Sequence, residues 1–205
     1  MKKPFTTLTT KPALPLKQLN FSEPTESVVP NVLTDFNLLA TTYRGNEARA
    51  RSELRYLLEQ IGDPAAHIAK TGISGLIVAK TALDPFEAIR KLREILKERS
   101  YEFRYMLRIM PIEKVLRTNL EQIQNAATEL GSKIGDGETF RVTVEKRFTV
   151  TSSRDIIEAA AAVVKRKVNL SKPDKILLVE VLGGFTGVSV AKPNEIISVL
   201  KEKIL

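Results

Sequence analysis

Eight residues from Lys175 to Leu182 read KILLVEVL and stand between Pro173 and the pair Gly183-Gly184. The run is almost wholly apolar, the pattern of a strand covered on both faces. A strand of that kind constrains everything around it, because each face needs its own layer. The glycine pair marks a turn, and FTGVSVA (185–191) reads as the return strand of a hairpin. The stretch from Gly183 to Gly187 resembles a phosphate-binding loop only superficially. Such a loop runs from a strand into a helix, whereas β-type residues follow here.

The flanking segments supply the layers. Leu120, Ile123, Ala127 and Leu130 stripe a helix that stops at Gly131. Phe140, Val142 and Val144 alternate with polar residues as a strand. Ser152 or Ser153 caps a helix expected to run to about Lys167, with Ile156, Ile157, Ala160, Val163 and Val164 inward. Pro193-Asn194 opens a final helix carrying Ile196, Ile197, Leu200 and Ile204.

An earlier unit has its own rhythm. Strands are expected at 36–42, 67–70, 75–81 and 102–109. Helices begin at Asn46, with Leu54, Leu57 and Leu58 on one face, and at Asp84-Pro85, with Phe86, Ile89, Leu92 and Leu96 on one face. The order strand, helix, strand, strand, helix, strand is that of a ferredoxin-like split βαβ unit. The first 33 residues hold five of the ten prolines and show no period. They read either as a tail or as an arm laid across the body. The expected organisation is a proline-rich tail over 1–33, a ferredoxin-like domain over 34–110 and a second α/β domain over 111–205.

Charge is unevenly spread. The net formal charge is +8, and residues 140–205 carry twelve cations against seven acids. Between Arg141 and Lys167 there are seven Lys or Arg and three acids. An excess of this kind without attached chemistry points to a polyanionic partner. Lys165-Arg166-Lys167 at a helix end either complements the macrodipole or contacts phosphate. Lys146-Arg147 leads into the TVTSSRD helix entrance, where free N–H groups favour an anion. Arg154 in that first turn either opposes the dipole as a plain exposed side chain or faces a bound anion.

Catalytic signals are sparse. The chain has no cysteine, which excludes disulfides and thiolate metal sites and suits an intracellular, cytoplasmic protein. His67 is the single histidine and has no partner pattern for catalysis or metal binding. No Walker loop, nucleophile elbow or metal spacing occurs. No leader peptide or 18-residue apolar run is legible. Aromatic residues make up 6% of the chain, which favours phosphate and shape recognition of a folded RNA over a stacking platform. These observations lead to the expectation of a protein without its own active site, cofactor or metal.

The segments RIMPIEKVLRTNLEQIQNAA, TFRVTVEKRFTVTSSRDIIEAAAAVV and VNLSKPDKILLVEVLGGFTGVSV, within 108–204, resemble a THUMP domain. The unit before them resembles the ferredoxin-like domain that accompanies it. THUMP proteins commonly join this pair to a domain that methylates, thiolates or deaminates tRNA. With the final helix expected to close the chain, the resemblance is to the stand-alone adaptor of tRNA cytidine acetylation. It implies binding of the tRNA acceptor end and a separate modifying enzyme, an acetyltransferase. Carried onto matching positions, the RNA contacts are Arg108, Lys114, Arg117, Lys146, Arg147, Arg154, Lys165, Arg166 and Lys167. The rival reading is a protein-interaction subunit of an RNA-processing assembly.

Overall fold

The computed structural model describes residues 34–204. The proline-rich segment over 1–33 lies outside the described residues. The first unit runs β1 (Leu38–Thr42), α1 (Glu47–Gln60), β2 (His67–Lys70), β3 (Leu76–Lys80), α2 (Pro85–Glu98) and β4 (Met106–Pro111). The second runs β5 (Lys114–Arg117), α3 (Leu120–Gly131), β6 (Thr139–Arg147), α4 (Ser153–Ala162), β7 (Lys167–Val168), β8 (Lys175–Leu182) and β9 (Phe185–Ala191). The strand β10 (Ile197–Ser198) and the short helix α5 (Val199–Glu202) follow.

The result is a mixed α/β protein with two five-stranded sheets. One has the order β10-β4-β1-β3-β2, antiparallel throughout. The other has the order β5-β9-β8-β6-β7, with β7, β6 and β8 parallel to one another.

Strand alternation sorts the core into three layers. Leu38, Ala40, Ile77, Ala79 and Ile109 face α1 and α2 with Leu54, Leu58, Ile89 and Leu92. Leu177, Val179 and Val181 face α3 and α4 with Ile123, Ala127, Ile156 and Ala160. The opposite faces of the two sheets meet each other: Leu39, Leu76, Val78, Met110 and Ile112 pack with Ile176, Leu178, Leu182 and Ala191. This explains KILLVEVL, whose alternate residues serve two separate cores. Because the two sheets share a buried layer, they are joined by apolar packing rather than by a flexible linker.

The end of the chain departs from expectation. In place of one final helix, a single helical turn at Pro193–Glu195 leads into β10, where Ile197 pairs with Ile109 and Ser198 with Arg108. Ile197 is fully buried among the residues under α1 and α2. The edge of the first sheet offers it both backbone partners and burial, which outweigh a helical period of only a few residues. Arg93 of α2 fastens the segment by donating to Glu202 at 2.8 Å, to the carbonyl of Ile196 at 2.9 Å and to that of Asn194.

Candidate nucleic-acid interface

One end of the second sheet gathers most of the relevant groups. Arg117 ends β5 opposite Phe185 at the start of β9, and Arg147 ends β6 opposite Leu182 at the end of β8. Gly183, at φ +67°, makes the two-residue turn between β8 and β9; that left-handed conformation suits glycine. Both helices of this layer begin at the same end. Asn119 caps α3 by accepting from the Gln122 N–H at 2.7 Å, and Ser152 caps α4 by accepting from the Asp155 N–H at 3.0 Å. Two helix N-termini therefore bring their positive dipole ends together.

Arg117, Lys146 and Arg154 are exposed at this end. Arg117 lies over the Phe185 ring, 4.9 Å from its centroid. Lys146 donates to the carbonyl of Thr151 at 2.8 Å and holds down the loop between β6 and α4. Within that loop Phe148 has φ +55° and is 79% exposed, and Val150 is fully exposed. A bulky aromatic residue that is itself in the left-handed region and uncovered marks a segment not shaped by core packing. Arg154, in the first turn of α4, pairs with Glu158 at 2.6 Å, and both are solvated.

The remaining expected contacts are dispersed. Lys165, Arg166 and Lys167 lie beside the opposite end of β6, where Lys167 pairs with Thr139. The nine residues of β6 separate the two groups by roughly 26 Å, at about 3.3 Å per residue. The basic run is not a helix end. The helix α4 stops at Ala162, Val164 turns into the core, and Lys167-Val168 must be extended to pair with β6. Arg166 is occupied, donating to the carbonyls of Ile134 at 2.8 Å and Gly135 at 3.1 Å and pairing with Asp136. Lys165 and Lys167 are exposed and have no acidic partner among the described residues. Lys114, midway along the sheet, is bonded to Glu129. Arg108 projects from β4 toward the layer between the sheets.

That layer holds a group the sequence reading passed over. Glu180 of β8 is 1% exposed. Burial pushes its carboxyl up to about 7, against the opposing pull of Arg147 and then Arg108, while Glu145 adds to the rise. As the single acid within an apolar strand, it could have been singled out from KILLVEVL alone. Phe148 and Phe185 were also missed; their proximity to Lys146-Arg147 and to the glycine turn was the available signal.

Among the described residues no group of three or more His, Cys, Asp or Glu side chains is placed to hold a metal ion, and no helix is long and apolar enough to cross a membrane.

Several solved structures share the fold. PH1313 from Pyrococcus horikoshii Ot3 superposes with a TM-score of 0.60 at 18% identity, over 77% of this chain and 55% of that one. A 4-thiouridine synthetase in complex with RNA and bound ATP gives 0.52 at 14% identity, over 80% of this chain and 42% of that one. A possible methylase from Clostridium difficile 630 gives 0.51 at 16%, over 76% and 40%. This chain thus spans about half the length of these structures, or less. No curated protein matches it in sequence.

These likenesses correct the expectation of an adaptor that is not an enzyme. A 4-thiouridine synthetase and a possible methylase share the fold over about two-fifths of their length. The lack of a catalytic grouping in the shared portion therefore does not mark a protein without catalytic activity. The expectation of a separate acetyltransferase rested on that reading. What the comparison does establish lies in the second sheet and its helices: residues 117–191, from the end of β5 to the end of β9, match the THUMP domain family.

Proposed function

We propose that this chain is the RNA-holding part of a tRNA-modifying enzyme, with its THUMP domain binding tRNA through the end of the second sheet. One observation carries the reading: two helix N-termini, Arg117 stacked on Phe185, Lys146 and Arg154 converge at a single exposed end. Such an end supplies N–H donors and cations together, the combination that phosphate oxygens require. The THUMP match and the RNA bound by the 4-thiouridine synthetase of the same fold support tRNA as the partner. The element order of the first unit and the strand order β4-β1-β3-β2 support a ferredoxin-like module beside it.

The test is filter binding of total tRNA across a salt series. Binding with a steep negative log–log slope is expected, about 0.9 per phosphate contact on duplex. The combined variant Arg117→Gln, Lys146→Gln should reduce both affinity and slope. No binding at low salt would overturn the proposal, as would full affinity in the combined variant.

A further inference from the structure

Away from that end, a cleft of about 510 Å³ opens where the two sheets and the end of the chain meet. Its charged wall comes from three segments that are distant in sequence. Arg108 and Ser198 lie directly opposite each other on the paired strands β4 and β10, so their side chains share one face. Arg141 enters from β6 on the second sheet, and Lys201 from α5. Ile176 forms an apolar floor.

Three cations and a hydroxyl thus face one concavity against one acid, Glu202. That acid is already engaged, accepting from Arg93 at 2.8 Å and from the Ser198 N–H at 3.0 Å. Arg141 donates through Nη1 to the carbonyl of Leu170 at 2.9 Å, yet its Nε is buried with no hydrogen-bond partner. A buried donor left unmade is costly, and a guanidinium offers two parallel donors suited to an oxyanion. Arg108 has no ion pair among the described residues, and the nearby Glu180 is held largely protonated below neutral pH by its burial. Like charges brought together at a cleft repel unless a counter-charge sits among them.

We infer that this cleft binds a phosphate group between the two sheets, with Arg141 and Lys201 as its principal ligands and Arg108 and Ser198 beside them. The phosphate is that of an RNA backbone crossing from the THUMP domain to the first sheet, an assignment that rests on the function proposed above. Because the cleft is walled by both sheets, a phosphate held there would fix the RNA against both units at once.

The test uses the full chain, its Arg141→Gln variant and its Lys201→Gln variant. Lys201 is exposed, so its replacement leaves the fold intact even where Arg141→Gln does not. Two measurements are made: tRNA affinity as a function of salt, and melting temperature in inorganic phosphate against chloride at matched ionic strength. If the inference holds, each variant lowers the magnitude of the salt slope by about one and the affinity several-fold. Wild-type tRNA binding with slope and affinity unchanged in both variants would overturn the inference and leave the proposed function standing. If the wild type binds no tRNA, the proposed function fails and the phosphate measurement decides the cleft. A phosphate-dependent rise in melting temperature that Lys201→Gln abolishes would then establish a free-phosphate site, and no rise would eliminate the site.

Discussion

Arg147 donates to Glu180 across 3.5 Å, reaching from the end of β6 into the layer between the two sheets. Its cation therefore serves a buried carboxylate before it can serve RNA. Arg147→Ala leaves that carboxylate in an apolar layer without its main counter-charge. A cost of about 1–3 kcal/mol in folding stability is expected, read as a lower denaturation midpoint with an unchanged m-value. Arg147 is among the expected RNA contacts, and a side chain given over wholly to phosphate would leave stability intact when removed. A midpoint equal to wild type would restore that view.

Glu180 also sets a pH dependence. Its carboxyl stands near 7 in the folded protein, against 4.5 as the ordinary value. Between those values the folded chain holds a proton that the unfolded chain has released, so stability falls as pH rises from about 4.5 through 7 and levels off above. At most, the loss is about 3 kcal/mol. Glu180→Gln should flatten this part of the profile, and Arg147→Ala should steepen it, since an opposing cation is gone. Denaturant midpoints between pH 5 and 8 measure both. On the acid side the sign reverses. The N–H of Gly75 first, and that of Gly45, hold the Glu47 carboxyl down at about 2. Its contribution is present above 4.5 and is lost as pH falls through 2.

Much of this architecture was legible because its signals were local. Asp84 caps α2 through the N–H groups of Phe86 and Glu87, with Pro85 in the first turn, and the helix lies where the stripe of Ile89, Leu92 and Leu96 placed it. The strands β2, β8 and β9 occupy the expected residues. The failures are tertiary. The α4 segment carries no stop signal after its alanines, yet it ends at Ala162 because β6 claims Lys167-Val168 as a parallel partner. The last residues have a helical period, but an open sheet edge takes Ile197. The expected RNA contacts divide for the same reason: cations close in sequence lie at two places because the length of β6 holds them apart. Asn46 was read as a helix cap but makes no side-chain cap bond; the neighbouring Glu47 carboxylate instead accepts from Gly45 and Gly75.

Gly187 tests how tightly the sheets meet. It sits on β9 between Val115 and Glu180, facing the first sheet. A Cβ there would lie 3.1 Å from Cγ2 and 3.2 Å from Cδ1 of Ile112. Ile112 is itself buried in the shared layer and has little room to give. Gly187→Ala should destabilise by about 1–2 kcal/mol through overpacking. Shortening the neighbour in Gly187→Ala, Ile112→Val should recover part of that loss, a coupling that a double-mutant cycle would detect. Additive effects would show that the sheets yield at this point.

Arg117 provides the contrast to Arg147. It is exposed, it lies over the Phe185 ring, and it has no ion pair among the described residues. The cation–π contact at a solvated site contributes about 0.5–1 kcal/mol, so Arg117→Gln should shift the denaturation midpoint little. Its effect should appear in tRNA binding instead, as a several-fold loss at low salt that narrows as salt rises and screens the phosphates. Arg117→Lys keeps the charge but loses the planar stack and should recover only part of the affinity. Lys165, at the far end of β6, should act independently. The variant Arg117→Gln, Lys165→Gln should lose the sum of the two single effects in binding free energy, because groups that far apart with no shared partner do not couple. A loss from the double variant no greater than that from Arg117→Gln alone would confine the RNA contacts to the end where α3 and α4 begin.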